Sequence, residues 1–168
     1  FVDANVFSPD TGIGIIAGYV GLAAGAENYT GKVTNCYTSG VLKGSGAAGG
    51  IGGVLGGSGY IKNCYSSATV IDQITNNTGK AGGIIGRVNG NANGSSIENC
   101  YTSGDISAIG GGNVGGIIGK VDNGKLVVKN CIAWNSTLTS TDKTKVGRIV
   151  GGTANTTYEN CYAHEGII

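Results

Sequence analysis

The chain has 168 residues with 34 glycines, and its 11 Lys and Arg nearly balance its 10 Asp and Glu, giving a formal net charge of +1. The basic residues form no cluster in the sequence, which argues against a nucleic-acid surface, and the glycines do not fall at every third position, which excludes collagen. No apolar run approaches the ~18 residues of a membrane helix, so we expect no membrane insertion in this segment.

The first residues differ from the rest of the chain. The sequence starts at Phe1 with no initiator methionine and no signal-peptide pattern, which suggests a processed chain or an excised fragment. Residues 1–12 precede the first repeat and are the candidate for an N-terminal cap, which a stack of repeats needs over its open end. The length is enough for a single core, so we expect residues 1–168 to form one domain.

A glycine phrase returns five times along the chain. The glycines that end its copies are 38, 30, 33 and 32 residues apart, and a fixed period in this range indicates a repeat architecture. The corners of a coil require left-handed backbone angles, which glycine accepts, and we expect this to explain the glycines of the phrase. The copies are Ile13–Gly18, Ile51–Gly56, Ala81–Gly86, Val114–Gly119 and Val146–Gly151.

A second phrase, Asn-Cys followed by Tyr or Ile, alternates with the glycine phrase and contains every cysteine of the chain. The distance from each Cys to the next phrase-ending Gly stays between 19 and 22 residues. The distance from that Gly to the following Cys varies from 8 to 18 residues. The insertions therefore lie on one side of the repeat, and we expect them to form loops on one face of a stack. They are residues 22–32, 89–96 and 122–126.

Short β-type segments lie in the glycine phrase, before each Asn and after each Cys, and none reaches helical length. Three short strands per repeat indicate an all-β fold, namely a single-stranded parallel β-helix, or β-solenoid, of about five coils. Right-handed winding is the expectation from known β-helices. The coils are expected at roughly 13–50, 51–80, 81–113, 114–145 and 146–168.

Asn and Cys have different physical roles in such a stack. Asn tolerates left-handed backbone angles, and its amide can bond to the equivalent Asn of the next coil, so we predict an amide ladder. Cys behaves as a small apolar residue and is expected to fill the interior. The predicted ladder residues are Asn35, Asn63, Asn99, Asn130 and Asn160, followed by Cys36, Cys64, Cys100, Cys131 and Cys161.

The cycle Gly-Gly-Ile-Ile-Gly, loop, Ile-x-Asn-Cys-Tyr, Ser-Gly-x-Ile resembles the GLUG-motif repeat over about residues 14–163, and residues 82–119 give its closest copy. The resemblance implies a secreted or surface-attached bacterial protein, either adhesin-like or an accessory region of a peptidase. The family motif is a structural repeat and carries no catalytic residues. This chain departs from it at Ile15 and Ala17, at Ile132 in place of Tyr, and at Arg148 in place of Gly.

The odd number of cysteines leaves at least one thiol unpaired, and the parallel Cβ vectors of in-register neighbours suit a disulfide poorly. We therefore expect reduced, buried thiols. The sequence has no CxxC pair and no Cys/His cluster, so we predict no metal and no cofactor. His164 is the only histidine and follows Cys161 closely, which leaves a Cys–His nucleophile as an enzymatic alternative.

The residue after each cysteine is expected to point outward, because its neighbour points inward. An exposed aromatic row could bind sugar rings or a protein, and the alternative is an external ladder covered by loops. Trp134 replaces the Ser of other repeats and either contacts a partner or packs under a loop. The candidate contact residues are Tyr37, Tyr65, Tyr101, Trp134 and Tyr162.

Polysaccharide-cleaving β-helices need two or three carboxylates on one face. Asp72 and Asp105 occupy roughly equivalent places in successive repeats and are expected to be neighbours if such a site exists. Five Asn-x-Ser/Thr sequons offer N-glycosylation sites in presumed loops, provided the source organism glycosylates. They are at Asn28, Asn76, Asn93, Asn135 and Asn155.

These observations favour a non-enzymatic, extracellular or cell-surface structural and adhesive module. Its expected partners are other protein chains, copies of itself or surface glycans. A second hypothesis is a filament subunit that stacks end to end, because the last residues, Glu165 to Ile168, end in mid-repeat on apolar side chains. A third hypothesis is a carbohydrate-binding or carbohydrate-cleaving β-helix.

Overall fold

The computed structural model describes residues 1–21, 30–90, 94–152 and 155–167. Short strands dominate, and every strand pair joins two parallel strands from successive coils. The prediction of an all-β, parallel β-solenoid of about five coils is confirmed. Two short 3₁₀ helices, Lys143–Lys145 and Glu165–Ile167, are the helical elements of the described residues.

Four parallel sheets run along the stack, and the chain visits them in the order 1, 2, 3, 4 in each coil. Sheet 1 contains Ile13–Gly14, Ala48–Gly49, Lys80–Gly82, Asn113–Gly115 and Val146–Gly147. Sheet 2 contains Ala17–Val20, Gly52–Gly57, Ile85–Gly90, Ile118–Asn123 and Val150–Gly152. Sheet 3 contains Lys32–Thr34, Tyr60–Lys62, Ser95–Glu98, Leu126–Lys129 and Thr156–Glu159.

Sheet 4 has nine strands, because most coils contribute two short strands to it. Only Tyr37–Gly44 crosses the whole width of this sheet, and Val2–Phe7 pairs with it from Val2 opposite Thr38 to Phe7 opposite Lys43. The candidate cap segment thus extends sheet 4 by one strand. The other strands are Tyr65–Ser66, Thr69–Asp72, Tyr101–Thr102, Ile106–Ala108, Ile132–Ala133, Leu138–Ser140 and Tyr162–Ala163.

Each coil has more strands than the three that the sequence indicated, because the glycine phrase bends in its middle. In the third coil Lys80–Gly82 belongs to sheet 1, and Ile85–Gly90 belongs to sheet 2. A Cβ on Gly82 would overlap the carbonyl oxygen of Ile85, and a Cβ on Gly86 would overlap the backbone of Ala48. The phrase is therefore glycine-rich because two backbones meet there without room for a side chain.

The corner explanation of these glycines was wrong. None of the phrase glycines just named has a left-handed φ, whereas isolated loop glycines such as Gly46 (φ +89) and Gly124 (φ +84) do. The five Asn of the second phrase do occupy that region, with φ between 49° and 57°. The tight corner of each coil thus belongs to Asn, and the glycine phrase provides close backbone approach.

The interior is divided into two apolar clusters by the bent glycine phrase. The larger cluster includes Leu55, Ile61 and Cys100 and lies where sheets 2 and 3 face the cysteines. The smaller cluster includes Leu42, Ala81 and Val70 and lies between sheets 1 and 4. Both clusters repeat the same positions from coil to coil, so that each coil buries its apolar side chains against its neighbours.

Two sets of loops leave this core. The insertions recognised in the sequence lie between sheets 2 and 3, and much of the first and second of them falls outside the described residues. A second set, residues 45–47, 73–79, 109–112 and 141–145, connects sheet 4 to sheet 1. No helix among the described residues is long and apolar enough to cross a membrane.

Candidate functional site

The five Asn of the Asn-Cys phrase form a continuous line of amide hydrogen bonds. Each Nδ2 donates to the Oδ1 of the preceding coil's Asn, at 3.1, 2.9, 3.0 and 3.3 Å along the stack. The members in order are Asn35, Asn63, Asn99, Asn130 and Asn160. The left-handed φ places each side chain over the next, so that the corner and the ladder have the same cause.

The cysteines beside the ladder point toward the core, and all five are free thiols. Cys64, Cys100 and Cys131 are buried, whereas Cys36 and Cys161 at the two ends are half-buried. Each Sγ donates to a carbonyl oxygen two residues back, as Cys131 does to Lys129 at 3.2 Å. Burial raises the pKa of Cys36 and of Cys161. A hydrogen bond with the Cys100 thiol lowers the pKa of Cys64 to about 7 and also lowers the pKa of Cys131. The thiols take the place of small core residues in the coils.

The row that follows the cysteines is an ordered aromatic ladder at its N-terminal end. The Tyr37 and Tyr65 rings stack with centroids 4.6 Å apart and planes 8° apart, and Tyr101 continues the row 4.8 Å from Tyr65. Hydroxyl contacts of 2.9 Å to Ser67 and 3.0 Å to Ser103 join the first two tyrosines to the next coil. These three rings are half-buried, so this end of the row is mainly structural.

The C-terminal end of the same row is exposed. Ile132 replaces the tyrosine of the fourth coil, and Trp134 replaces the serine that Tyr101 would need as a partner. Trp134 is 55% exposed and Tyr162 is 67% exposed, and His164 packs edge-on against the Trp134 ring at 4.7 Å. We call Ile132, Trp134, Tyr162 and His164 the aromatic end patch.

The aromatic end patch lies on a sheet, which fixes the spacing of its side chains. Ile132 pairs with Tyr162, and Ala133 pairs with Ala163, so the outward residues on either side lie over one another about 4.8 Å apart. Such a patch can bind a flat apolar or sugar surface at low conformational cost, because the backbone is already ordered.

A second feature is a groove that the sequence reasoning missed. Arg87 and Lys120 occupy paired positions on the outer face of sheet 2. Arg87 Nε lies 2.6 Å from one Asp122 oxygen, and Lys120 Nζ lies 2.8 Å from the other. Burial opposes ionisation of Asp122, but the Lys120 hydrogen bond and the Arg87 charge lower its pKa overall.

Lys80 lies across from this pair and completes a concentration of basic side chains. Its Nζ donates to the Thr78 carbonyl at 2.7 Å, and Lys80 and Thr78 line both depressions of the groove. The signal was present in the sequence, because Gly86-Arg87-Val88 and Gly119-Lys120-Val121 follow the same point of the glycine phrase. A linear count of charges hid it, since these residues are 33 apart.

The two aspartates considered for carbohydrate cleavage are not neighbours in the structure. Asp72 pairs with Gly44 in the preceding coil and with Ala108 in the following coil. Ala108 lies three residues after Asp105, so the two aspartates are out of register. Its carboxylate is buried and accepts backbone hydrogen bonds from Ile74 at 2.9 Å and Lys80 at 2.7 Å. Asp105 is exposed and accepts from Ser136. Asp72 therefore orders the loop of residues 73–79, and the expectation of an adjacent carboxylate pair was wrong.

The other candidate chemistry is also dispersed. His164 contacts Trp134, while Cys161 Sγ donates to the carbonyl oxygens of Val128 and Glu159 at 3.3 and 3.4 Å. Within the described ranges, no group of three or more His, Cys, Asp and Glu side chains is arranged to hold a metal ion.

The sequons have different environments. Asn76 and Asn155 are exposed, whereas Asn28 and Asn93 lie outside the described residues. Asn135 is 1% exposed, and its amide bonds to the Gly104 carbonyl at 2.7 Å and to the Thr102 hydroxyl at 3.0 Å. The assignment of Asn135 as a surface glycosylation site was wrong, because its side chain fills space inside the coil.

No protein-family model matches the chain, and no curated protein matches it. Among solved structures, the chain is similar to a crystal structure of a Bacteroides ovatus protein with the name "putative immunoglobulin A1 protease". The two are 51% identical with a TM-score of 0.84, over 94% of this chain and 48% of that chain. This chain therefore spans about half the length of the Bacteroides ovatus chain.

This similarity corrects one expectation. The sequence favoured a non-enzymatic chain, whereas a structure 51% identical to it carries the name "putative immunoglobulin A1 protease", so the non-enzymatic expectation does not stand. The similarity agrees with the β-solenoid fold. The GLUG-motif resemblance remains a prediction, since the solved neighbour's name does not refer to that motif.

Proposed function

We propose that this chain is the β-solenoid segment of an extracellular or cell-surface protein, and that it binds a glycan-bearing partner through the aromatic end patch. The observation that carries the proposal is the exposure of Tyr162, at 67%, in the strand Tyr162–Ala163, and of Trp134, at 55%, directly after the paired strand Ile132–Ala133. Aromatic side chains that remain exposed on an ordered surface are the commonest anchors of binding sites.

The rest of the repeat supports this role by making the surface rigid. The Asn ladder, the Tyr37–Tyr65 stack and the ion pairs Lys62–Glu98 and Lys129–Glu159 bond each coil to the next. A patch presented by such a stack loses little conformational entropy when it binds. This combination suits adhesion to a repetitive or glycosylated surface.

The Bacteroides ovatus name favours a second candidate function, the cleavage of an immunoglobulin A1 substrate by the longer protein of which this chain would be a segment. In that case the aromatic end patch would hold the immunoglobulin substrate. The two candidates share a binding surface and differ in whether a peptide bond is broken.

One experiment tests both candidates. The chain is passed over immobilised human immunoglobulin A1 and over a printed glycan array, and the eluted immunoglobulin is examined by mass spectrometry. We expect binding to at least one of these surfaces that Trp134→Ala abolishes. The matched control is Tyr158→Ala, which removes another exposed aromatic side chain, 45% exposed, on sheet 3.

The outcomes separate the candidates. Binding without cleavage supports the adhesive role, and new heavy-chain fragments that require the chain support the protease role. Equal binding by wild type and Trp134→Ala, or absence of binding to every surface, would contradict the proposed site.

A further inference from the structure

A groove separate from the aromatic end patch runs along the outer face of sheet 2. One wall is the outward row of this sheet, in which Tyr19, Val54, Arg87 and Lys120 come from four successive coils. The other wall is formed by Thr78, in a loop that leads into sheet 1, and by Lys80, the first residue of the sheet 1 strand Lys80–Gly82. Two depressions of about 170 and 380 Å³ share the lining residues Thr78 and Lys80 and therefore lie side by side along this groove. We call it the basic groove.

The charges at the centre of the basic groove do not balance. Lys80, Arg87, Lys120 and Lys145 contribute four positive charges, and they are opposed by the carboxylates of Asp122 and of Asp142, which pairs with Lys145 at 3.5 Å. Asp122 forms ion pairs with both Arg87 and Lys120. Lys80 forms no ion pair with the residues that the structure describes. Two positive charges therefore remain in a chain whose net charge is only +1.

Partial burial makes this excess charge costly. The pKa of Lys80 is lowered, first because burial disfavours the ammonium form and also because Arg87 and Lys120 repel it, although Asp122 and Asp72 act in the opposite direction. A bound anion would relieve this repulsion, because it adds a negative charge in a half-buried site where screening by water is weak. The site is therefore suited to one or two negative charges.

The far end of the same depression is suited to a sugar ring. Tyr19 is 54% exposed and lies two strands from Arg87 across Val54, a separation of about 10 Å. The Tyr19 ring packs against the backbone of Gly12, where a Cβ would lie 2.8 Å from Cε2. An aromatic ring held in this way offers its electron-rich face to the C–H groups of a sugar. Thr11 and Thr78 also line this depression, and the Thr78 hydroxyl, which donates to Asn76 Oδ1 at 2.6 Å, can accept a further hydrogen bond.

We propose that the basic groove binds an acidic oligosaccharide, with a sugar carboxylate on Lys80 and Arg87 and a sugar ring on Tyr19. The proposal goes beyond the aromatic end patch, because it concerns another sheet and a charged ligand. A nucleic acid fits less well, since it needs a long stripe of cations rather than an excess of two charges. An acidic peptide would use the cations but would leave Tyr19 and the hydroxyls without a specific role.

The test is a calorimetric titration of the whole chain with tri-galacturonic acid. Its fully methyl-esterified form is the control ligand, because it has the same sugars and no charge. We expect the acid to bind and the ester to bind at least about tenfold more weakly, since charge-assisted hydrogen bonds are lost. Affinity for the acid should fall as salt is raised.

Two variants test the site, and two others serve as controls. Arg87→Gln and Tyr19→Ala should each weaken binding by about tenfold, the first by removing a charge-assisted bond and the second by removing the stacking face. The matched control is Lys32→Gln, which removes the same charge from an exposed lysine on sheet 3. Trp134→Ala should leave this binding unchanged, so a failure of the basic groove is distinguishable from a failure of the aromatic end patch.

Three results would overturn the proposal. The first is equal affinity for the acid and its methyl ester, and the second is absence of binding at millimolar tri-galacturonic acid. The third is tighter binding of pentaglutamate than of the sugar, which would assign the groove to an acidic peptide. Circular dichroism of each variant checks that a loss of binding does not come from unfolding. Arg87→Lys, which retains the positive charge, is the folded reference for Arg87→Gln.

Discussion

The two ends of the row that follows the cysteines show how one repeat position becomes either structure or surface. At the N-terminal end, Tyr37 and Tyr65 stack and bond to the serine of the next coil, and their rings are half-buried. At the C-terminal end, Ile132 and Trp134 replace that tyrosine and serine, and the stack stops. The aromatic end patch begins at this interruption.

The comparison shows that the side chains of a ladder are occupied by bonds to one another. Where identical residues repeat, their polar groups and ring faces bond to each other and become unavailable to a ligand. Where the repeat is broken, the same strand geometry presents unpartnered side chains at the spacing of the strands. Departures from the repeat are therefore the first positions to consider when a binding site is sought in a β-solenoid.

The largest expected effect comes from breaking the amide ladder in the middle of the stack. Asn99→Ala removes one bond to Asn63 and one from Asn130 and places a Cβ-bearing residue without a stabilising amide at φ 53°. We expect a loss of about 2 to 3 kcal/mol in the free energy of unfolding, measured with urea.

Asn160→Ala is the control at the end of the ladder. It removes a single bond, of 3.3 Å to Asn130, and should lose roughly 1 kcal/mol less than Asn99→Ala. Asn99→Gly should recover part of the loss, because glycine accepts the left-handed angle. Equal losses for Asn99→Ala and Asn160→Ala would show that the ladder bonds contribute nothing.

The next effect tests the tyrosine row directly. Tyr65→Phe removes the hydroxyl that lies 3.0 Å from Ser103 and should lower the free energy of unfolding by about 1 kcal/mol. Tyr162→Phe changes an exposed ring at the other end and should stay within about 0.5 kcal/mol of wild type. A reversed order of these two losses would contradict the division of the row into a structural and an exposed end.

The smallest effect concerns the cysteine at the exposed end. Burial raises the pKa of Cys161 above its ordinary value of 9.0, so the folded chain holds this proton more tightly than the unfolded chain does. The stabilisation is present below the unfolded pKa and is lost as the pH rises through the folded pKa. The urea midpoint of the wild-type chain should therefore fall as the pH rises from about 8 to about 10. The midpoint of Cys161→Ala should fall less steeply over the same range. An equal slope in both proteins would show that the loss of stability at alkaline pH comes from another group.

The fold could be predicted because its signals are local and recur. Each Asn-Cys copy carries the same left-handed corner and the same small core residue, so five weak patterns in phase specify the coil. The glycine phrase was placed correctly but explained wrongly, because a linear sequence does not show that Gly86 approaches the backbone of Ala48 in the preceding coil. The close approach of two backbones in neighbouring coils depends on the register in which the coils pair, and this register is visible only in the folded chain.

The candidate sites were less predictable, because they depend on which side chains meet across coils. Arg87, Lys120 and Lys80 lie far apart in the sequence and come together only when sheets 1 and 2 are stacked. Asn135 matches a glycosylation pattern, yet it aligns with Gly104 and fills the space beside the small Ala133. Pattern reasoning assigned it to a surface loop because it could not show that this position faces inward.

The most direct measurement is a comparison of Trp134→Ala and Tyr65→Phe on one glycan array, together with their unfolding in urea. We predict that Trp134→Ala loses the binding of wild type while its free energy of unfolding changes by less than about 1 kcal/mol. Tyr65→Phe should keep the binding and lose stability. Two results would contradict the assignment of structure to one end of the row and recognition to the other. The first is wild-type binding by Trp134→Ala, and the second is loss of binding by Tyr65→Phe at unchanged stability.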